Sequence, residues 1–194
     1  MNDGVTSSLI GAGLFEMTLD DGNLPVHVEV DRNIHGKLEP QYFSAAAMTG
    51  YYAAFWRKYS ADIADGKWDA LSAIPSRRAE MITLLGAQSF AEFESIERAA
   101  WGLAEYRGYG AMTDFGVPSL AMTADLGRVG SIEIDVRWSA STLSSYISYD
   151  ILEAANKIRQ QRPMFHEGGT WSARTDDDLE VEVREYKNYL MRIS

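Results

Sequence analysis

Alternation of apolar and polar residues predicts two β-hairpins in this chain of 194 residues. The first spans residues 13–31, where apolar side chains recur in two runs separated by the turn signal Asp21-Gly22. In the second run the valines share one strand face, and His27 and Glu29 share the other.

The second predicted hairpin covers residues 117–138 and turns at Asp125-Leu126-Gly127-Arg128. One face of its second strand is predicted to carry Ile132, Ile134, Val136 and Trp138, and the other Glu133, Asp135 and Arg137.

Apolar spacings of three and four predict helices over residues 41–64, 77–85, 90–106 and 143–161. Ser76 is a candidate N-cap for the second of these, and Ser89 with Glu92 has the capping-box spacing for the third. Gly50 interrupts the first helix at a cost of about 1 kcal/mol relative to Ala, which indicates close packing. In the last helix, Tyr146 is predicted to face inward.

The two ends of the chain are predicted to be less regular. Residues 1–12 are small and polar, and we expect them to be flexible. Leu179, Val181 and Val183 alternate with charged residues, which predicts a C-terminal strand or an extended tail within residues 170–194. The resulting fold class is α+β, with two antiparallel hairpins forming a mixed or antiparallel sheet packed by several helices, in a single domain of residues 1–194.

The net charge of the chain limits the classes of macromolecule that we expect it to bind. Twenty-eight acidic residues against eighteen basic ones give a net charge of -10, which repels nucleic acid and anionic membranes and attracts basic proteins. The chain has no cysteine, no basic signal region at its start and no apolar run of about 20 residues, so we expect a cytoplasmic protein without a membrane partner. The oligomeric state stays open.

Catalytic motifs are missing from the sequence, and we expect neither a cofactor nor a metal. No glycine-rich phosphate loop, nucleophile elbow or metal-ligand spacing is present. His27 and Glu29 supply two possible metal ligands on one strand face, and a third would have to come from elsewhere, for example His35 or His166. A small hydrolase whose site is assembled from His27, Glu29 and His166 is therefore one alternative function.

Residues 90–160 carry a recurring pattern of aromatic residues and glycines before a hairpin. Its parts are Phe90-x-x-Phe93, Trp101-Gly102-Leu103-Ala104-Glu105-Tyr106-Arg107-Gly108-Tyr109-Gly110, Ser119-Leu120-Ala121-Met122 and Asp125-x-Gly127-x-x-Gly130-x-Ile132-x-Ile134-x-Val136. This stretch resembles small uncharacterised bacterial proteins of the polymorphic-toxin immunity type. The resemblance implies an inhibitor that works by occlusion, and it implies no catalytic residues.

These observations favour an acidic, non-enzymatic inhibitor or immunity-type protein that occludes a basic partner such as a toxin or nuclease. One further alternative is a viral anti-defence inhibitor of the anti-CRISPR kind, which mimics the charge of nucleic acid and blocks a defence complex. Another is a structural subunit of a phage or of a larger assembly. The residues expected to bind the partner are Asp176, Asp177, Asp178, Glu180, Glu182, Glu133, Asp135 and Trp56.

Overall fold

A computed structural model describes residues 9–194, apart from the side chains of Asp69 and Ala70. Residues 1–8 of the segment predicted to be flexible lie outside the described residues. The described elements are β1 (Phe15–Leu19), β2 (Pro25–Val30), α1 (Ile34–Lys37), α2 (Phe43–Ala64), α3 (Arg77–Leu84), α4 (Phe90–Ala100), β3 (Tyr106–Tyr109), β4 (Leu120–Ala124), β5 (Val129–Ile134), α5 (Val136–Ser139), α6 (Ser144–Gln161) and α7 (Asp176–Ile193).

The chain forms two compact units. The first comprises the residues up to Ser72 together with Tyr106–Gln161, and the second comprises Ala73–Glu105 together with Arg162–Ser194. The first unit holds all five described strands, whereas the second is built from α3, α4 and α7. The existence of one domain over residues 1–194 stays a prediction.

Two antiparallel sheets form the framework of the first unit. Strands β1 and β2 pair as a hairpin, and β3, β4 and β5 form a second sheet in that order. Helix α2 packs on β1 and β5, and α6 packs on β2, β3 and β4, so each helix contacts both sheets. The α+β class with antiparallel hairpins is thereby confirmed, and each predicted hairpin lies in its own sheet.

Side chains of α2 connect this helix to both sheets. Tyr51, which is fully buried, donates its hydroxyl to the carbonyl of Asn23 at 3.2 Å and accepts from the amide of Val129 at 2.9 Å. Gly50 lies against β1, because a Cβ at this position would be 2.4 Å from the carbonyl oxygen of Phe15. The close packing expected at Gly50 is therefore confirmed.

The strand predicted to continue through Trp138 ends at Ile134. Asp135 accepts a hydrogen bond from the backbone amide of Trp138 at 2.8 Å and caps the short helix α5. A side chain that satisfies a free amide at a helix start favours that helix over further extension of the strand. The prediction that Val136 and Trp138 share a strand face is therefore wrong.

The helix predicted over residues 90–106 ends at Ala100 and is followed by a strand. Gly102 adopts a positive φ of 69°, and the amide of Leu103 returns to the carbonyl of Arg98 at 2.8 Å, which closes the helix. Strand β3 was not predicted from the sequence, because Gly108 was interpreted only as the end of the preceding helix. In the structure, a Cβ at position 108 of β3 would lie 2.0 Å from the carbonyl oxygen of Ala154 in α6. The close packing of β3 on α6 therefore requires glycine at position 108.

Helix α7 replaces the strand or tail predicted within residues 170–194. Its buried residues Leu179 and Leu190, with the partly buried Val183 and Tyr186, follow a spacing of four, three and four residues. They pack on α3 and α4, which contribute Met81, Ile82, Leu84, Phe93 and Ile96 to the core of the second unit. The two-residue alternation of Leu179, Val181 and Val183 therefore predicted the wrong secondary structure for this segment.

Within residues 9–194, no helix combines the length and the apolar character that crossing a bilayer requires.

Candidate functional site

The acidic residues predicted to bind a partner in the C-terminal segment lie on the first turns of α7. Thr175 caps this helix by accepting from the amide of Asp178 at 3.2 Å, and acidic side chains in a first turn stabilise the positive end of a helix. Asp176 forms an ion pair with Arg78, and Glu180 lies 3.5 Å from Arg77. Part of this acidic run therefore stabilises the second unit itself.

Three other acids of the run, Asp177, Asp178 and Glu182, remain available for a partner. Asp177 is exposed and Glu182 is half-buried, and neither carboxylate has an ion-pair partner in the described part of the chain. Asp178 is also exposed.

The other predicted partner-binding residues belong to the first unit. Glu133 is exposed on β5, and the side chain of Asp135 is engaged in capping α5. Trp56 is 54% exposed on α2, where its ring contacts Phe55 at a centroid distance of 6.2 Å. Trp56 is therefore available for contact, whereas Asp135 has a structural role.

The residues of the hydrolase alternative fall in different units. His27 Nε2 lies 3.2 Å from Glu29 Oε1 on the exposed face of β2. His166 belongs to the second unit, where its ring nitrogen Nδ1 lies 3.0 Å from the carbonyl oxygen of Gly168. Among residues 9–194, no three His, Cys, Asp or Glu side chains are grouped so that they could hold a metal ion. The alternative gains no support from geometry within either unit.

An acidic cleft of about 1090 Å³ opens on the first unit and combines residues that are distant in sequence. The β1–β2 hairpin and the segment after it contribute Glu16, Glu29, Asp31, Arg32 and His35. The segment before α6 and its first turns contribute Ser141, Thr142, Ser144, Ser145 and Ser148. The cleft therefore pairs charged groups on one side with hydroxyl groups on the other.

Two glutamates of the cleft face each other across the β1–β2 hairpin. Glu16 is the direct register partner of Glu29, and both side chains are exposed. Like charges that are directly opposite on neighbouring strands are destabilising by roughly 0.2–1 kcal/mol. A positive group bound in the cleft would remove this repulsion, so the pair favours a cationic ligand.

Asp31 is held in its charged form beside these glutamates. The hydrogen bond from Lys37, 2.5 Å from Asp31 Oδ2, is the largest cause that lowers the pKa of Asp31, and the amide of Asn33 lowers it further. Partial burial opposes this shift without reversing it. The Asp31 carboxylate therefore keeps its negative charge to a lower pH than an ordinary aspartate does.

An aromatic pocket of about 760 Å³ adjoins the acidic cleft. Thr142 and Ser145 line both cavities. The rest of the pocket is lined by Ala111, Trp138, Tyr146, Tyr149 and Asp150. Large aromatic rings at the mouth of a cavity are typical of binding sites for proteins and small molecules.

Tyr146 and Tyr149 lie on the outer face of α6. Their exposed fractions are 60% and 57%, whereas Ile147 and Ile151 are fully buried. The inward orientation predicted for Tyr146 is therefore wrong. The three-residue spacing of the two tyrosines, beside a complete inner row of isoleucines and alanines, is the signal that would have placed them outside.

Comparison with known proteins found no matching family model, no matching curated protein and no matching solved structure.

Proposed function

We propose that this protein is a non-enzymatic inhibitor that binds and occludes a basic partner protein, such as a toxin or nuclease. The observation that carries the proposal is the adjacency of the acidic cleft and the aromatic pocket, which share Thr142 and Ser145. The resemblance of residues 90–160 to immunity-type proteins points in the same direction.

Charge and aromatic side chains contribute different parts of the binding. Carboxylates such as Glu16 and Glu29 attract a basic surface and raise its association rate, and this effect weakens with salt. Exposed tyrosine and tryptophan side chains supply the contacts that dominate binding energy in protein interfaces. A surface with both features is suited to a basic protein and unsuited to nucleic acid.

Further apolar side chains are exposed on the segments that contribute Ala111 and Trp138 to the aromatic pocket. Phe115 in the segment between β3 and β4 is 51% exposed, and the guanidinium carbon of Arg137 lies 4.6 Å from its ring centroid. Met112 and Val136 are 68% and 47% exposed. Such a collection of exposed apolar side chains in one unit is typical of an interaction surface.

The test compares variants that change the same number of charges. A fluorescent peptide of alternating arginine and glycine serves as the basic probe, and its affinity is measured by anisotropy at low and physiological salt. Glu16→Gln combined with Glu29→Gln removes the facing pair in the cleft. We expect this variant to weaken binding roughly tenfold, since about 1.4 kcal/mol corresponds to a factor of ten.

Two further double variants distinguish the cleft from net charge and from α7. Glu94→Gln with Glu185→Gln neutralises two exposed glutamates of the second unit and should change the affinity less than about twofold. Asp177→Asn with Glu182→Gln tests the acidic surface predicted on α7. Equal losses in all three variants, or a larger loss in the α7 variant, would contradict the cleft as the binding site.

A further inference from the structure

We propose that the aromatic pocket binds the ammonium group of a lysine side chain of the basic partner. This inference rests on the proposed function and specifies the group that the partner inserts. The pocket is lined by Trp138, Tyr146 and Tyr149 and by the carboxylate of Asp150. None of the described residues that line it is basic.

Asp150 is a buried carboxylate without a cationic partner in the described structure. It is only 4% exposed, and its Oδ2 atom accepts from the Ser119 hydroxyl and from the amide of Ala111 at 3.3 Å. Its other oxygen, Oδ1, accepts no hydrogen bond from any described residue. A buried negative charge with a free oxygen is costly unless a positive group joins it.

The surrounding chain fixes the position of this carboxylate. Ser119 is fully buried, and its amide donates to the carbonyl of Ala111 at 2.7 Å. Gly110 leaves room for both groups, because a Cβ there would lie 2.1 Å from Ser119 Oγ and 3.0 Å from Asp150 Oδ2. Three segments of the first unit, those around residues 110, 119 and 150, therefore meet to hold Asp150 at the pocket.

The chemistry of the pocket favours lysine over arginine. Aromatic rings attract a cation that lies over their faces, and the alkyl stem of lysine packs along apolar surface while its charged end finds a polar partner. A guanidinium gains its advantage from two parallel hydrogen bonds to both carboxylate oxygens. Because Oδ2 of Asp150 is already occupied, a single ammonium hydrogen bond to Oδ1 suits the site better.

The direct test uses small analogues of protein side chains. The probe is Nα-acetyl-lysine methylamide, titrated into the full chain and followed by calorimetry and by the NMR signals of the aromatic residues. The norleucine analogue has the same alkyl stem without the ammonium group, and the arginine analogue carries a guanidinium. We expect the lysine compound to bind at least about tenfold more tightly than either analogue.

Variants locate the binding on the protein. Tyr149→Ala should weaken binding of the lysine compound several-fold, whereas Tyr42→Ala, which removes another exposed aromatic of the same unit, should leave it unchanged. Asp150→Asn retains the shape of the side chain and should abolish the preference for lysine over norleucine. If Asp150→Asn does not fold, the comparison of Tyr149→Ala with Tyr42→Ala still decides the question.

Three results would overturn the inference: equal affinity for lysine and norleucine, equal losses in Tyr149→Ala and Tyr42→Ala, or tighter binding of spermidine than of the lysine compound. The last result would assign the pocket to a free polyamine. The peptide used to test the proposed function contains no lysine. A loss of peptide binding on substitution of Glu16 and Glu29, without lysine binding in the pocket, would therefore refute this inference alone.

Discussion

Two residue-level effects oppose each other at Gly50 of α2. Alanine is favoured over glycine by about 1 kcal/mol inside a helix, because glycine loses more backbone freedom on folding. The structure places β1 so close that a Cβ would lie 2.4 Å from the Phe15 carbonyl oxygen and 2.7 Å from the Phe15 Cβ. Backbone atoms of a paired strand have little freedom to move, so the steric effect outweighs helix propensity.

Gly50→Ala is therefore expected to lower the free energy of unfolding by about 1–3 kcal/mol, measured by urea denaturation. Ser60→Ala is the matched control, since Ser60 is exposed on the same helix. The control should be neutral or slightly stabilising, by a few tenths of a kcal/mol. A Gly50→Ala protein as stable as the control would show that β1 can move away from α2.

Asp31 makes a pH-dependent contribution to stability. Its folded-state pKa is lowered from 3.8 chiefly by the Lys37 hydrogen bond, so the contribution is present above that value and is lost as the pH falls through the lowered pKa. The stability difference between wild type and Asp31→Asn should thus be largest at neutral pH and shrink below pH 3.8. Urea denaturation over a pH series measures it, with the exposed Asp21→Asn as control. A constant difference at every pH would contradict the role of this ion pair.

In helix α7, the spacing of apolar residues over the whole segment indicates the secondary structure that forms, whereas a short window does not. Over Leu179–Val183 the valines alternate as they would in a strand, but over the whole of Asp176–Ile193 the buried positions recur every three or four residues. The Thr175 cap and the acidic first turn favour the same helix. A five-residue window was too short to distinguish the two periods.

Leu190→Ala is expected to destabilise the second unit by about 2–5 kcal/mol, because Leu190 is 1% exposed and packs in the same cluster as Leu84 and Phe93. Met191→Ala is the neighbouring control, with a side chain that is 48% exposed, and should cost less than about 0.5 kcal/mol. Thermal unfolding followed by circular dichroism measures both. Similar effects of the two substitutions would contradict the helical placement, since an extended tail would bury neither residue.

At the scale of the whole molecule, the negative charge belongs to both units. The net charge of -10 is not confined to the acidic run of α7, because acidic residues outnumber basic ones in each unit. The cleft gathers Glu16, Glu29 and Asp31. Of these, only Glu29 was singled out from the sequence, and then as a candidate metal ligand and hydrolase residue. Net charge thus predicts a class of partner, and the fold determines which carboxylates lie together.

The sequence by itself determined the two hairpins, the caps at Ser76 and Ser89, most helices and the acidic surface, because these features depend on periodicity and on contacts between near neighbours. Only the tertiary structure decided the need for Gly108 against Ala154 and the meeting of Trp138, Tyr149 and Asp150 in one pocket. Each of these depends on the approach of segments that are distant along the chain, and short-range patterns carry no record of that approach. The candidate site could therefore be identified only from the packing of the hairpins and helices, and not from the sequence.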